Sequence, residues 1–276
     1  MDPKNFEIIP GSPESPVILH VPHSARFIPA DVRSGILLDD TQLNAELDSM
    51  TDSLTDSIAL QASERAELRP WIFINTFSRL VIDPERFPDE REVMNKVGMG
   101  AVYRKSSTGL DLRASDFSDE KVLLDSFFHP YANALEALVS ERLAALGGIT
   151  IIDVHSYRTE QHENAVNHGQ KRPAMCIGTD EFHTPPWLIE CAQAAFAPLG
   201  ETFLNEPYAG TYIPLKFYGV NSAVQSIMME TRADTFLDDK LKMHEGAIDV
   251  VTGLTSLIDQ VKLAVHRKHD PGAISW

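Results

Sequence analysis

The order of short apolar runs and longer segments of helical spacing predicts an α/β fold built on a largely parallel sheet. Two observations carry this. The runs PVILHV (16–21), WIFINT (71–76), GITIIDV (148–154), PAMCIGT (173–179) and SAVQSIMMET (222–231) are apolar or β-branched through most of their length, as strands covered on both faces are. The stretches between them step by three and four residues, the period of a helix with one buried face.

The elements follow in chain order. Leu43, Leu47, Met50, Leu54 and Ile58 fall on one face of a helix over about 41–60. The stretch 119–148 is helical, with Pro130 starting or breaking a helix and Gly147–Gly148 ending it. Further helices are expected over 185–197 and from Asp239 to about Lys268. The last presents Leu254, Leu257, Val261 and Leu263–Val265 to the sheet. Residues 84–118 hold few apolar side chains and read as a loop-rich excursion, of a length that is often functional. With no repeat and no Gly/Ser-rich linker, a single domain over 1–276 is expected.

Composition excludes several classes. Lys plus Arg number 24 against 40 Asp plus Glu, a formal net charge of -16. Such a chain is unsuited to a nucleic-acid backbone or an anionic membrane surface, so neither partner is expected. No apolar run reaches the roughly 20 residues that span a bilayer. The opening MDPKNFEIIPGSPESP has no basic start followed by an apolar core, so no secretory signal is expected. Cys176 and Cys191 make neither a disulfide framework nor a thiolate zinc site, which fits a reducing, cytoplasmic setting. Any transition metal here must therefore use imidazole and carboxylate, from ten histidines and an excess of acids.

In open α/β sheets ligands bind beyond the carboxyl ends of the strands. The first predicted strand ends in His23, the third in Asp153-Val154-His155 and the last in Glu230-Thr231-Arg232. Two histidines and a glutamate from separate strand ends match a catalytic zinc site with a nearby base. Each has a plainer reading: a hydrogen-bonded structural histidine, or Glu230 paired with Arg232. His20, three residues before His23, is expected on the opposite face in a structural role. Asp153, on the face of His155, either orients that imidazole or caps a turn. Asp48, Asp52 and Asp56 form an acidic stripe at i, i+4, i+8, a source of a carboxylate ligand or simply a solvated face. Arg79 and Arg86 follow the second strand and Arg104 lies beyond. They suit carboxylate recognition, or salt bridging with Asp83, Glu85, Asp89 and Glu90. Cys176 reads as a small hydrophobe, His129 and Tyr131 as helix-start packing, and no glycine-rich phosphate loop occurs.

HVPHS (20–24), LDSMTDSLTD (47–56), SRLVIDPER (78–86), IIDVHS (151–156) and METRADTF (229–236), taken together in this order, resemble the N-formylglutamate amidohydrolase family. The resemblance implies a phosphorylase/hydrolase-like three-layer α/β/α sandwich with a mostly parallel mixed sheet, related to zinc carboxypeptidases. It implies hydrolysis of an N-formyl or similar N-acyl amino acid, with a place in histidine degradation. His23 and His155 match the family's metal-binding histidines. Asp52 matches the carboxylate ligand, with Asp48 as fallback, and Glu230 a carboxypeptidase-like general base. Arg79, Asp83 and Arg86 match the family's signature after the second strand. The chain departs from the family at Ala25, where glycine is common, and at Glu85-Arg86, where the pair is usually Asn-Arg. It also lacks an aromatic in the acidic segment, and Arg26 stands where the zinc carboxypeptidases place a ligand.

The expected mechanism is zinc-assisted amide hydrolysis. His23, Asp52 and His155 hold the metal, Glu230 is the base, and Arg79, Arg86, Arg104 and Arg232 supply anchors for a small anionic substrate. Two alternatives stand beside it: a deacylase or carboxypeptidase-like hydrolase of another N-acyl amino acid or small peptide, and a non-catalytic binder of an acidic metabolite.

Overall fold

The computed structural model describes residues 4–160 and 168–269, the side chains of 263–269 excepted. In chain order the elements are β1 (Phe6–Ile9), β2 (Val17–Val21), α1 (Ala30–Ser34), α2 (Asp40–Met50), α3 (Thr55–Arg65), β3 (Trp71–Asn75), α4 (Glu120–Leu123), α5 (His129–Leu146), β4 (Ile149–Tyr157), β5 (Met175–Gly178), α6 (Pro186–Phe196), β6 (Thr202–Leu204), β7 (Val224–Arg232) and α7 (Ala247–His269). A π-helical turn, Leu124–Phe128, joins α4 to α5, and Pro130 lies in the first turn of α5, where its missing N–H costs nothing. Gly147 ends α5 in the left-handed conformation, φ 73°, which suits a residue without Cβ.

The seven strands form one sheet in the order β1-β3-β2-β4-β7-β5-β6. The central four are parallel. β1 pairs antiparallel with β3, and β5 antiparallel with β7. On one face Ile58, Ala62, Leu188, Phe196, Val250, Leu254 and Leu257 of α3, α6 and α7 pack on Leu19, Ile72, Ile152, Ile177 and Ile227. On the other, Tyr131, Leu135 and Val139 of α5 cover Ile18, Phe73 and Ile151. These are the three layers the resemblance implies. The β-branched runs became strands because both faces of the sheet are covered.

Sequence and structure differ at several elements. The single helix expected over 41–60 is two, broken at 51–54. The last helix begins at Ala247 rather than Asp239, because the intervening residues form turns around the Leu237–Met243 bridge. Leu263–Val265 lie outside the described side chains. In the excursion Tyr103 and Leu112 are fully buried and pack with Leu43, Leu47 and Leu80, so part of it serves as core. Among the described residues no helix is long and apolar enough to cross a membrane.

Candidate active site

Strand order decides where side chains meet. After β2 the chain adds β3 on one side and β4 on the other, so a crevice opens beyond the carboxyl ends of β2 and β4. His23 lies just past the end of β2, and His155 lies within β4, paired in register with Glu230 of β7. Asp52 comes from the break between α2 and α3. Its N–H donates to His23 O at 3.0 Å, Thr55 Oγ1 donates to Asp52 O at 2.8 Å, and Leu54 turns the chain with a left-handed φ of 63°. The acidic stripe dissolves at this break. Asp48 points outward in an ion pair with Arg26, and Asp56 accepts from the N–H of Ser57.

His23 Nδ1 and His155 Nδ1 are 3.3 Å apart, and Asp52 Oδ2 lies 2.9 Å from the second and 3.7 Å from the first. All three residues are buried. Tetrahedral ligands at bond lengths near 2.0–2.1 Å sit roughly 3.3 Å from one another, so this donor set fits a divalent ion. The outer nitrogens are engaged: His23 Nε2 with Asp83 Oδ1 at 2.9 Å, and His155 Nε2 with Asp153 Oδ1 at 3.2 Å and Glu85 Oε1 at 3.3 Å. Carboxylates there hold protons on Nε2 and leave the Nδ1 lone pairs facing inward. The groupings His20–Glu85–Asp153 and His23–Asp83–Glu85 are also close enough to share an ion. In them, however, Asp153 already accepts from Tyr212 N and bonds His20, and Asp83 accepts from Arg79 and Tyr103.

The charges interlock. Burial disfavours ionised Asp83, but Arg79 and His23 outweigh it and hold the carboxyl well below its usual range. Asp52 is likewise opposed by burial and held down by His155 and His23. Burial lowers both histidines. For His155 the charges of Glu85 and Asp153 prevail and raise it well above its ordinary value. His23 is also lowered by Arg79, yet Asp83 and Asp52 carry it upward. Glu230 differs: burial pushes it up to about 8, Asp52 adds to the rise, and His155 opposes it. Its Oε2 is buried with no hydrogen-bond partner among the described residues.

The four arginines fare differently. Arg79 is locked onto Asp83 through Nε and Nη2, at 3.2 and 2.6 Å. Among the described residues the Arg86 side chain makes only long contacts, 3.6 Å to Asp83 and 3.8 Å to Glu92, and it is 30% exposed. Arg104 donates to Phe117 O and sits over the Phe117 ring, and Arg232 pairs with Asp234. Neither contacts the histidine cluster.

His20 was expected on the opposite face, yet it bonds Asp153 Oδ1 at 2.7 Å and Tyr131 at 2.6 Å, and lies 3.6 Å from Glu85. The alternation rule fails because His23 lies beyond the strand. Two residues of the cluster carry roles beyond the sequence reading: Glu85, expected only as a salt-bridge partner of the arginines, lies beside the histidines, and Tyr103, with no expected role, donates to Asp83. The departure Glu85-Arg86 was the only local signal for the first, and Tyr103 had none. Cys176 pairs in register with Glu230, and burial pushes its thiol up to about 11, which leaves it inert.

A family model described as N-formylglutamate amidohydrolase matches residues 15–237. No curated protein matches the chain. Among solved structures the chain is similar to N-formylglutamate amidohydrolase from Ralstonia eutropha JMP134, with 19% identity, 96% of this chain and 99% of that one covered, and a TM-score of 0.79. It is also similar to a gene product from Agrobacterium tumefaciens, with 20% identity, 95% and 96% coverage and a TM-score of 0.68. At these identities the likeness to the two structures concerns the fold.

Proposed function

Because the chain belongs to the N-formylglutamate amidohydrolase family and is a hydrolase of an amide C–N bond, we propose that it is a metal-dependent deacylase of an acidic N-acyl amino acid. N-formyl-L-glutamate is the foremost substrate, cleaved to formate and L-glutamate in the cytoplasm, without nucleic-acid or membrane partners. The observation that carries this reading is the convergence of His23, Asp52 and His155 beside a buried Glu230 oxygen that has no partner among the described residues.

His23 Nδ1, His155 Nδ1 and Asp52 Oδ2 would hold one divalent ion, zinc by the character of the donors. Such an ion polarises an acyl carbonyl and makes water a nucleophile near neutral pH. Asp83 and Asp153 keep the two imidazoles oriented. Glu230 takes a proton from the attacking water and returns it to the departing nitrogen. Its Oε2, buried with no partner among the described residues, is placed to accept and then release that proton. Arg86, the least committed arginine beside the cluster, binds the substrate α-carboxylate and fixes the carbonyl near the metal ligands. Arg79 serves through Asp83, as the clamp that orients His23.

Metal analysis of the purified protein, paired with formate release by wild type and His155→Ala, tests this. Wild type should carry one equivalent of a divalent ion, and the variant should lose both ion and activity. A metal-free active wild type, or undiminished turnover by the variant, rejects it. A second reading, hydrolysis of a less anionic N-acyl amino acid or small peptide, is favoured by Glu85, which adds a carboxylate within 3.3–3.6 Å of three histidines. Rates across formyl, acetyl and peptidyl substrates separate the two.

A further inference from the structure

Arg172 is a guanidinium with no carboxylate partner among the described residues of a strongly acidic chain. Its guanidinium centre lies 5.3 Å from the Tyr157 ring and 5.7 Å from the Tyr208 ring, and those rings are 5.6 Å apart. Nη1 makes two long contacts, 3.3 Å to Arg158 O and 3.4 Å to Tyr208 OH, and Nε is buried with no acceptor among the described residues. Stacking on aromatic faces holds an arginine while leaving its N–H fork free, and a buried donor without an acceptor calls for one.

The cluster adjoins the candidate site. Tyr157 is two residues beyond His155 on the same face of β4, about 7 Å along the strand. Across the sheet Tyr157 pairs with Arg232 as His155 pairs with Glu230. Tyr208 O accepts from the thiol of Cys176, the residue paired with Glu230 in β5. Burial and then the Glu230 carboxylate raise the Tyr208 hydroxyl, with Arg172 opposing them. Arg86 lies in a different segment, the one that follows β3, and its long contacts there are to Asp83 and Glu92.

We propose that Arg172, braced by Tyr157 and Tyr208, forms an anion subsite for the carboxylate at the far end of the substrate side chain. The enzyme thereby selects N-acyl dicarboxylic amino acids over their neutral counterparts. This rests on the deacylase reading above. The spacing of two strand residues is comparable to an extended glutamate-sized side chain, and a guanidinium fork matches a carboxylate in two hydrogen bonds.

The test compares N-formylglutamate with N-formylglutamine, its neutral isostere, in metal-loaded wild type, Arg172→Gln and Arg172→Lys, with equilibrium binding of glutarate measured in parallel. Wild type should prefer the dicarboxylate. Arg172→Gln should lower that preference about 10- to 100-fold, mainly through KM, and weaken glutarate. Arg172→Lys, which keeps the charge, should recover part of both at a wild-type melting temperature. A preference unchanged in both variants, or an equal loss on both substrates, overturns the proposal. Should wild type hydrolyse neither compound, the deacylase reading fails. The subsite then stands or falls on glutarate: weaker binding in the variants upholds it, and equal binding overturns it.

Discussion

At Asp52 one carboxylate oxygen lies 2.9 Å from His155 Nδ1 and 3.7 Å from His23 Nδ1, while Asp48, one helical turn earlier, is half exposed against Arg26. Asp52→Asn should therefore abolish stoichiometric metal binding and activity, and Asp48→Asn should preserve both, as read by metal content and formate release. Glu230 is separable from the ligands. Glu230→Gln should retain the metal and lose roughly 10²- to 10⁴-fold in kcat, the usual worth of a positioned acid–base group. Loss of metal in that variant would reassign Glu230 as a ligand. His23, His155 and Glu230 were legible in the sequence because each closes an apolar run, and strand ends are where such sheets bind ligands. Asp52 was singled out only through resemblance. Helical spacing made it equivalent to Asp48 and Asp56, and the difference lies in a break marked by one left-handed leucine.

Among the elements, each of the five apolar runs became a strand in or beside the centre of the sheet. β1 and β6, four and three residues long and only partly buried, went unread because they lie at the two edges, where one partner strand suffices. The limit of α7 also went unread, since residues 239–246 keep helical spacing but spend their hydrogen bonds in turns. Packing between elements also bears on the anion subsite. A Cβ at Gly178 in β5 would stand 2.2 Å from Gly210 O, in the segment that follows Tyr208. Gly178→Ala should therefore displace that segment and cost about 1–3 kcal/mol, in the range of overpacked sites. A fall in melting temperature should accompany a raised KM for the dicarboxylate. A variant with wild-type melting and kinetics would show that the segment yields freely.

Over the whole molecule, charge is unevenly deployed. The chain carries a net charge of -16, yet at the sheet crevice its carboxylates are matched to imidazole and guanidinium. The pH response of the metal-free protein follows. Asp83 and Asp52 titrate below their ordinary values when folded, so their stabilisation is present above about pH 4 and is lost as pH falls through the depressed values. His23 and His155 titrate above theirs. Their contribution is full below about pH 6.5 and is lost as pH rises through the raised values. A metal ion bound at the two Nδ1 atoms replaces those protons, so binding should release protons and tighten with pH. Melting temperatures of chelator-treated and zinc-supplemented protein should diverge progressively from pH 6 to 8.5. A gap that stays constant over that range would rule out the imidazoles as ligands.

By itself the sequence determined the α/β class, the central strands and the kind of ligand a metal would have to use. These depend on residue period and composition, which are local or summed properties. Residue spacing left Asp48, Asp52 and Asp56 equivalent, and tertiary structure decided which of them lies against the histidines, which arginines are spent on protein partners and which remain available. Arg172, Tyr157 and Tyr208 meet through packing between segments 15 to 51 positions apart, and Asp52 reaches His155 across 103. Such meetings follow from strand order and from where a helix breaks, and residue spacing encodes neither.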